Sequence, residues 1–225
     1  LALRSRPSEL RLAVPPDLEN FSGLRTNVPL KIAFFGLPLA GCLLAADGHE
    51  IVLAAISRAD APGRRRLSRM AGPSRVSLRP KLDAAFRERV RAAQPDLVVS
   101  WFWTSLLPPE LVAIAPSGGI GAHPSLLPRH RGPDPTYHAI LAGDPVTGVT
   151  VHRIAAEYDT GAMLARVELA IDDRWNAYDL ARALDRPSLR LLRDVVSAFA
   201  RGVPPAEAPQ DEAHATLAPF PEEDD

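Results

Sequence analysis

The stretch that decides the fold is VPLKIAFFGLPLAGCLLAADGHEIVLAAIS, residues 28–57. A first apolar run closes at Gly36, a short segment with helical potential covers residues 37–46, and a second apolar run covers residues 50–57. This order predicts a strand, a helix and a strand, and strands that are apolar throughout are typical of a parallel sheet covered on both faces. Because ligands of open α/β sheets bind at the carboxyl ends of the strands, a site is expected near Gly36.

The rest of the chain continues this alternation. The further predicted elements are helices over 81–94, 109–115, 136–141 and 176–201, and strands over 97–103, 119–122, 147–154 and 163–171. The last two strands alternate polar and apolar residues around a turn at 158–161, which predicts an antiparallel extension of the sheet. Pro187 is expected to kink or break the last helix. We therefore predict one α/β catalytic domain over 28–201, an N-terminal extension over 1–27 and an extended C-terminal arm over 202–225.

Residues 58–80 are basic, rich in proline and glycine and without periodicity, so they predict a mobile loop. The run Arg64–Arg66 is interpreted as a solvated face, with contact to an anionic substrate as the alternative.

The amino-acid composition limits the classes of function that the chain can have. The chain has 225 residues, 26 basic and 27 acidic side chains and a net charge of −1, which gives no overall sign of a polyanion-binding surface. The single cysteine, Cys42, excludes an internal disulfide and fits a reducing cytoplasm; it is interpreted as a small core residue. No apolar run approaches the ~20 residues of a membrane span. Six scattered histidines and one cysteine give no metal-ligand spacing, so no metal is predicted.

The run GGIGAHPSLLPRHRGPDP, residues 118–135, holds the candidate site. His123 follows the carboxyl end of a predicted strand, and Asp159 lies in the turn between two later strands. A carboxylate beside a histidine favours the imidazolium, so the pKa of His123 is expected to rise toward or above neutrality. Such a pair can stabilise a developing oxyanion and move a proton. The alternative is that His123 only caps the loop and Asp159 only forms the turn.

Two motifs carry a resemblance to a known family. HPSLLPRHRG, residues 123–132, and GDPVTGVTVHRIAAEYDTGAML, residues 143–164, resemble the 10-formyltetrahydrofolate-dependent formyltransferases, which act on methionyl-tRNA, glycinamide ribonucleotide or nucleotide-linked amino sugars. The resemblance covers residues 30–200 and keeps the family's order and spacing. It implies a Rossmann-like domain that holds the folate, 10-formyltetrahydrofolate as the formyl donor, and an amine that attacks the formyl carbon.

The resemblance also implies the catalytic residues. The family's histidine falls on His123 and its aspartate on Asp159, but the asparagine expected two residues before the histidine is replaced by Gly121. Loss of one such donor costs on the order of 10²–10³ in rate. Four explanations stay open: water or another side chain fills the gap, glycine makes room for a different acceptor or donor, catalysis is weak, or the glycine is an introduced substitution.

The same resemblance implies the binding residues. One wall of the pterin slot is formed by Trp103, Leu106 and Leu107, and the other by Ile154, Ala155 and Tyr158. The predicted substrate-binding residues are Gly36, Leu37, Pro38, Gly121 and Ser125. The apolar character of the segment 36–39 argues against a phosphate there.

Other side chains are given structural roles or left open. Trp101 and Phe102 fit core packing and ligand contact equally. Arg131 is expected to fix its loop through backbone carbonyls, and His138 and His152 are expected to be packed or surface residues rather than catalysts.

The expected activity is formyl transfer to the amine of a small molecule in the cytoplasm. A small acceptor is favoured over a nucleic acid because the charge is balanced, the tail is acidic, and the chain ends soon after the predicted catalytic domain. The sequence APFPEEDD also resembles the linker of longer family members, so a continuation is compatible with it. The alternatives are a folate-binding protein whose catalysis has decayed, and an enzyme that uses the same fold for another one-carbon or acyl transfer.

Overall fold

The computed structural model describes residues 28–221; the predicted extension over 1–27 and the last four residues of the arm lie outside this range. The elements are β1 (Lys31–Gly36), α1 (Pro38–Ala46), β2 (Glu50–Ile56), α2 (Arg64–Ala71), β3 (Val76–Leu78), α3 (Ala84–Ala93), β4 (Leu97–Trp101), α4 (Pro109–Val112), β5 (Gly119–His123), α5 (Pro135–Leu141), β6 (Val146–Arg153), β7 (Met163–Ala170) and α6 (Ala177–Ala200).

The strands form one seven-stranded sheet in the order β3-β2-β1-β4-β5-β6-β7. The five strands from β3 to β5 are parallel, and β6 and β7 are antiparallel. This arrangement confirms the predicted α/β, Rossmann-like fold with an antiparallel extension. The parallel connections require the crossover helices, and these bring the carboxyl ends of β1, β2, β4 and β5 to one edge of the sheet.

Alternate residues of β1 divide the core between the two faces of the sheet. Ile32 and Phe34 pack into the cluster that includes Leu180 and other residues of α6, whereas Phe35 packs with Phe86 of α3 and its neighbours. Trp101 at the end of β4 belongs to the first cluster. Its Nε1 donates to the hydroxyl of Ser188 over 2.8 Å in a buried hydrogen bond, which assigns Trp101 to the core.

One sequence prediction about secondary structure is wrong, and of the kink or break expected at Pro187 the break is absent. The loop expected over 58–80 contains α2 and β3, because Leu67, fully buried between exposed arginines, anchors α2 against α1. Pro187 does not break α6, which is continuous from Ala177 to Ala200. Buried residues on both sides of the proline, such as Leu184 and Leu191, hold the two halves against the sheet.

The strand expected over 97–103 ends at Trp101 because Phe102 has a positive φ of 54°. None of the helices in the described residues is long and apolar enough to cross a membrane.

Candidate active site

Three side chains meet at the carboxyl edge of β5. Antiparallel pairing sets Gly121 opposite His152 and His123 opposite Thr150, so both imidazoles border the turn that follows β6. The Asp159 carboxylate lies between them, with Oδ2 3.4 Å from Nδ1 of His123 and Oδ1 3.4 Å from Nε2 of His152. The predicted His123–Asp159 pair is therefore brought together. His152, expected to be only a packed or surface residue, is its third member.

Asp159 is held in an unfavourable backbone conformation. Its φ of 56° is left-handed, which costs a non-glycine residue energy unless its surroundings fix it. The backbone N–H of Gly132 donates to Oδ2 of Asp159 over 2.9 Å. Two residues later Gly161 passes so close to β6 that a Cβ there would lie 1.9 Å from the carbonyl oxygen of Arg153. The turn thus requires glycine at 161, and it aims the carboxylate at the two rings.

Backbone carbonyls fix the protonation pattern of both imidazoles. Nε2 of His123 lies 2.8 Å from the carbonyl oxygen of His130, and Nδ1 of His152 lies 2.8 Å from the carbonyl oxygen of Arg153. Since a carbonyl only accepts, each of these nitrogens carries a hydrogen. In a neutral ring the other nitrogen, the one facing Asp159, is then free to take up a proton. A proton bound there is stabilised by the carboxylate.

Burial and the neighbouring groups together set the charge states of the pair. Burial alone would raise the pKa of Asp159, but His123, His152 and the Gly132 N–H together outweigh it and lower that pKa to about 2. Burial lowers the pKa of His123 below its usual value, and the attraction of Asp159 only partly opposes this. The expected rise of the His123 pKa is therefore wrong, because the cost of burying the imidazolium exceeds the gain from the carboxylate. At neutral pH Asp159 is an anion and His123 is a neutral base.

These shifts predict how stability depends on pH. A histidine whose pKa is lowered on folding contributes stability that is present above its unfolded value of 6.5 and lost as the pH falls through it. His49, whose pKa burial also lowers, acts in the same direction. The stabilisation from Asp159 is fully present above pH 3.8 and is lost only as the pH falls from 3.8 to about 2, so it adds no slope between pH 7 and pH 5. The free energy of unfolding, measured by urea denaturation, should therefore fall between pH 7 and pH 5, and fall less in His123→Gln. Equal pH dependence of the two proteins would contradict the buried, neutral state of His123.

A cavity of about 300 Å³ opens beside the three side chains. The predicted folate residues all line it: Trp103, Leu106, Leu107, Ile154, Ala155 and Tyr158. His123, Asp159 and Gly121 lie in the same wall, together with Phe102 and His152. Phe220 of the C-terminal arm completes the lining. An apolar cavity with a small polar cluster at one end is the usual form of a small-molecule site.

Four predicted substrate residues do not line this cavity. Ser125 is fully buried, and its hydroxyl donates to the carbonyl oxygen of Arg129 over 2.6 Å, so it stabilises the loop. Gly36 packs on the backbone of β4, where a Cβ would lie 1.8 Å from the carbonyl oxygen of Trp101. Leu37 donates its N–H to the same oxygen, and Pro38 begins α1. The segment 36–38 thus builds the β1–α1 turn.

Gly121 lies next to His152 at a position that can accept a Cβ. A Cβ at this position would lie 3.5 Å from Nε2 of His152 and 3.8 Å from Cβ of Ser100, which are ordinary contact distances. Gly121 and His152 thus lie side by side in the cavity lining, and a larger residue at 121 has room at its Cβ.

This packing predicts opposite effects for two glycines of β5. A Cβ at Gly119 would lie 2.9 Å from Cγ1 of Val112 and 3.0 Å from Cδ1 of Ile154, so Gly119→Ala should lower the free energy of unfolding by about 1–3 kcal/mol. Gly121→Ala should leave it unchanged or raise it by up to about 1 kcal/mol. Urea denaturation of the two variants measures the difference. Comparable destabilisation by both substitutions would show that the space beside Gly121 is filled.

The loop after His123 is fixed by side chains on its outer side. Arg129 and His130 both pair with Asp144, His130 through Nε2 at 2.7 Å. Arg131 was expected to bind backbone carbonyls, and this is wrong. Its guanidinium donates to Oε1 of Gln210 and to the carboxylate of Glu212, both in the arm. Within residues 28–221 no group of three or more acidic, histidine or cysteine side chains is placed to hold a metal ion.

Sequence reasoning missed His152, Gln210 and Phe220. The signal for His152 is its place in an alternating strand that leads into the turn of Asp159. The position of His152 in the site depends on the register between β5 and β6, which the sequence does not give.

Comparisons with known proteins agree on one family. A family model described as "Formyl transferase" matches residues 40–196. The methionyl-tRNA formyltransferase of Treponema denticola is 39% identical over 135 residues, which are 60% of this chain and 42% of that protein. That of Roseiflexus sp. (strain RS-1) is 32% identical over 204 residues, 84% of this chain and 62% of that protein. The chain thus spans between about two fifths and three fifths of these relatives.

Solved structures share the fold at lower identity. Glycinamide ribonucleotide transformylase 1 from Symbiobacterium toebii matches with a TM-score of 0.66 and 24% identity, over 81% of this chain and 95% of that chain. HypX from Aquifex aeolicus, solved with tetrahydrofolic acid, matches with a TM-score of 0.66 and 21% identity, over 87% of this chain and 30% of that chain.

Proposed function

The chain belongs to the formyl transferase family, and from this membership we propose that it transfers a formyl group from 10-formyltetrahydrofolate to an amine. The observation that carries the proposal is the anionic Asp159 between two imidazoles at one end of an apolar cavity. A neutral base beside a fixed carboxylate is what an attacking amine requires, because the amine must lose a proton when it forms its new bond.

The lining of the cavity favours a folate. Its walls are largely apolar, and the buried indole N–H of Trp103 in the wall has no hydrogen-bond acceptor among the described residues. A buried donor without a partner is unfavourable, and an acceptor atom of a heterocyclic ligand would satisfy it. Trp103, Leu106 and Leu107 would hold the ligand from one side, and Ile154, Ala155 and Tyr158 from the other. When bound, 10-formyltetrahydrofolate supplies an activated formyl group.

The residues of the site have separate roles in the formyl transfer. The reaction forms a C–N bond to the amine, breaks the C–N bond to the donor and moves one proton from the amine to the donor nitrogen. Nδ1 of His123 accepts the proton, and the negative charge of Asp159 stabilises the imidazolium that results. When His152 is doubly protonated beside Asp159, its Nε2, next to Gly121, donates a hydrogen bond toward the formyl oxygen as that oxygen becomes anionic. His152 thus supplies the donor that an amide side chain at position 121 would give.

Equilibrium binding of tetrahydrofolate tests the site before any turnover is measured. Trp103 lies in the cavity wall, so we expect saturable quenching of tryptophan fluorescence, with one site per chain. A protein that shows no saturable binding of tetrahydrofolate would contradict the proposal.

For the acceptor, the balanced charge of the chain favours the amine of a small molecule. A second candidate is the amino group of methionyl-tRNA. It is favoured by the named relatives and by α2, whose arginines Arg64, Arg65, Arg66 and Arg69 are exposed and form no salt bridge within residues 28–221. Turnover of methionyl-tRNA that weakens steeply with salt would select the second candidate, since phosphate contacts release counterions. Turnover of free amines alone would select the first.

A further inference from the structure

The C-terminal arm is attached to both loops that carry the site. Near its start, Ala208 exchanges two backbone hydrogen bonds with Met163 at the beginning of β7. Further along, Arg131 donates its N–H to the carbonyl oxygen of Thr216 over 2.8 Å, and Ala218 donates back to Arg131 over 2.6 Å. Between these two attachments the arm crosses the turn that contains Asp159.

Gln210 lies at this crossing and uses both ends of its amide. Its Nε2 donates to the carbonyl oxygens of Asp159 and Gly161, each over 2.7 Å. Its Oε1 accepts from Nε and an NH₂ group of Arg131, at 3.0 and 2.8 Å. The orientation of the amide follows from these partners, because a guanidinium only donates and a carbonyl only accepts.

These contacts close a ring around the carboxylate. Arg131 donates to the side chain of Gln210, and Gln210 donates to the carbonyl oxygen of Asp159. The N–H of Gly132, next to Arg131 in the chain, donates to the carboxylate of Asp159. Asp159 has a positive φ, which is unfavourable for a non-glycine residue. The hydrogen bonds to its carbonyl oxygen and to its carboxylate stabilise this conformation. The buried Arg131 forms no hydrogen bond or salt bridge with Asp159 itself, and hydrogen bonds connect the two through Gln210 and Gly132.

We propose that Gln210 is a positioning residue, which fixes Asp159 so that its carboxylate stays between His123 and His152. The effect on catalysis rests on the proposed formyl transfer, whereas the effect on the two imidazoles does not. The arm is then part of the active site rather than a neutral connection, although it lies 51 residues beyond Asp159.

The test compares Gln210→Glu with Glu212→Gln in the full chain. Gln210→Glu keeps an oxygen for Arg131 but replaces the donor by an oxygen that faces two carbonyls. Glu212→Gln changes the same arm and the same arginine without touching the turn of Asp159. We expect the imidazole NMR signals of His123 and His152 to shift in Gln210→Glu and to stay in place in Glu212→Gln. We also expect kcat to fall about 10–100-fold in Gln210→Glu alone, with the Kd for tetrahydrofolate unchanged.

Imidazole signals that stay in place in Gln210→Glu, or that shift equally in Glu212→Gln, would overturn the positioning role. If Gln210→Glu loses its cooperative thermal transition, Gln210→Met, which removes both hydrogen-bonding functions without adding charge, carries the same comparison. An unmodified chain that transfers no formyl group would refute the proposed function, while the NMR comparison would still decide the role of Gln210.

Discussion

Replacing His123 with alanine should lower kcat for formyl transfer about 10³-fold, within the range that a positioned acid or base contributes. The neutral imidazole of His123 combines a free nitrogen, an adjacent anion and a place in the cavity wall. Its other nitrogen is occupied by the carbonyl oxygen of His130, so rotation of the ring costs a hydrogen bond. Steady-state kinetics with 10-formyltetrahydrofolate and a saturating amine measure the loss.

The matched control is His214→Ala. His214 also pairs with an aspartate, Asp211, but it is exposed on the arm and away from the cavity lining. Its replacement should change kcat less than twofold. Asp159→Ala should behave like His123→Ala, because it removes the charge that stabilises the imidazolium. Variants of His123 and Asp159 that keep full activity would show that the chemistry takes place elsewhere.

Replacing His152 with alanine should lower kcat about 10²–10³-fold, the usual effect of deleting one oxyanion donor. The second expected result is rescue: Gly121→Asn, introduced together with His152→Ala, should restore at least a tenth of the original rate. The reason is geometric, since a side chain at 121 starts 3.5 Å from the place that Nε2 of His152 occupies. Four proteins, the unmodified chain, the two single variants and the double variant, make a complete thermodynamic cycle.

The cycle distinguishes a hydrogen-bond donor role of His152, which an amide at 121 can replace, from a packing role, which it cannot. If His152 serves only as packing, an amide at 121 cannot replace it, and the double variant will be as inactive as His152→Ala. A large gain in rate from Gly121→Asn in the presence of His152 would instead mean that the unmodified site lacks a donor.

Much of the fold could be predicted because the decisive signals are local. The apolar runs within 28–57 predict parallel strands, and the carboxyl edge of such a sheet is where His123 lies. Asp159 follows β6, which is antiparallel to β5, so the edge rule does not place it, and only the family resemblance pairs it with His123. The helix α2 was missed because its one buried apolar side chain, Leu67, stands among arginines and shows no periodicity.

The rest of the site depends on long-range geometry. His152 joins it through the register of β5 on β6, and Gln210 joins through an arm whose path is set by backbone pairing with Met163 and Arg131. The sequence predicts that the pKa of His123 is raised, whereas the structure lowers it. A sequence shows the neighbouring carboxylate but not the depth of burial.

The most direct test of the central claim is the amine-dependent release of tetrahydrofolate from 10-formyltetrahydrofolate, followed in parallel for the unmodified chain and His123→Ala. We expect release that saturates with donor, requires the amine and falls about 10³-fold in His123→Ala. Saturable binding of the donor without any release, for small amines and methionyl-tRNA alike, would contradict it and leave a folate-binding protein.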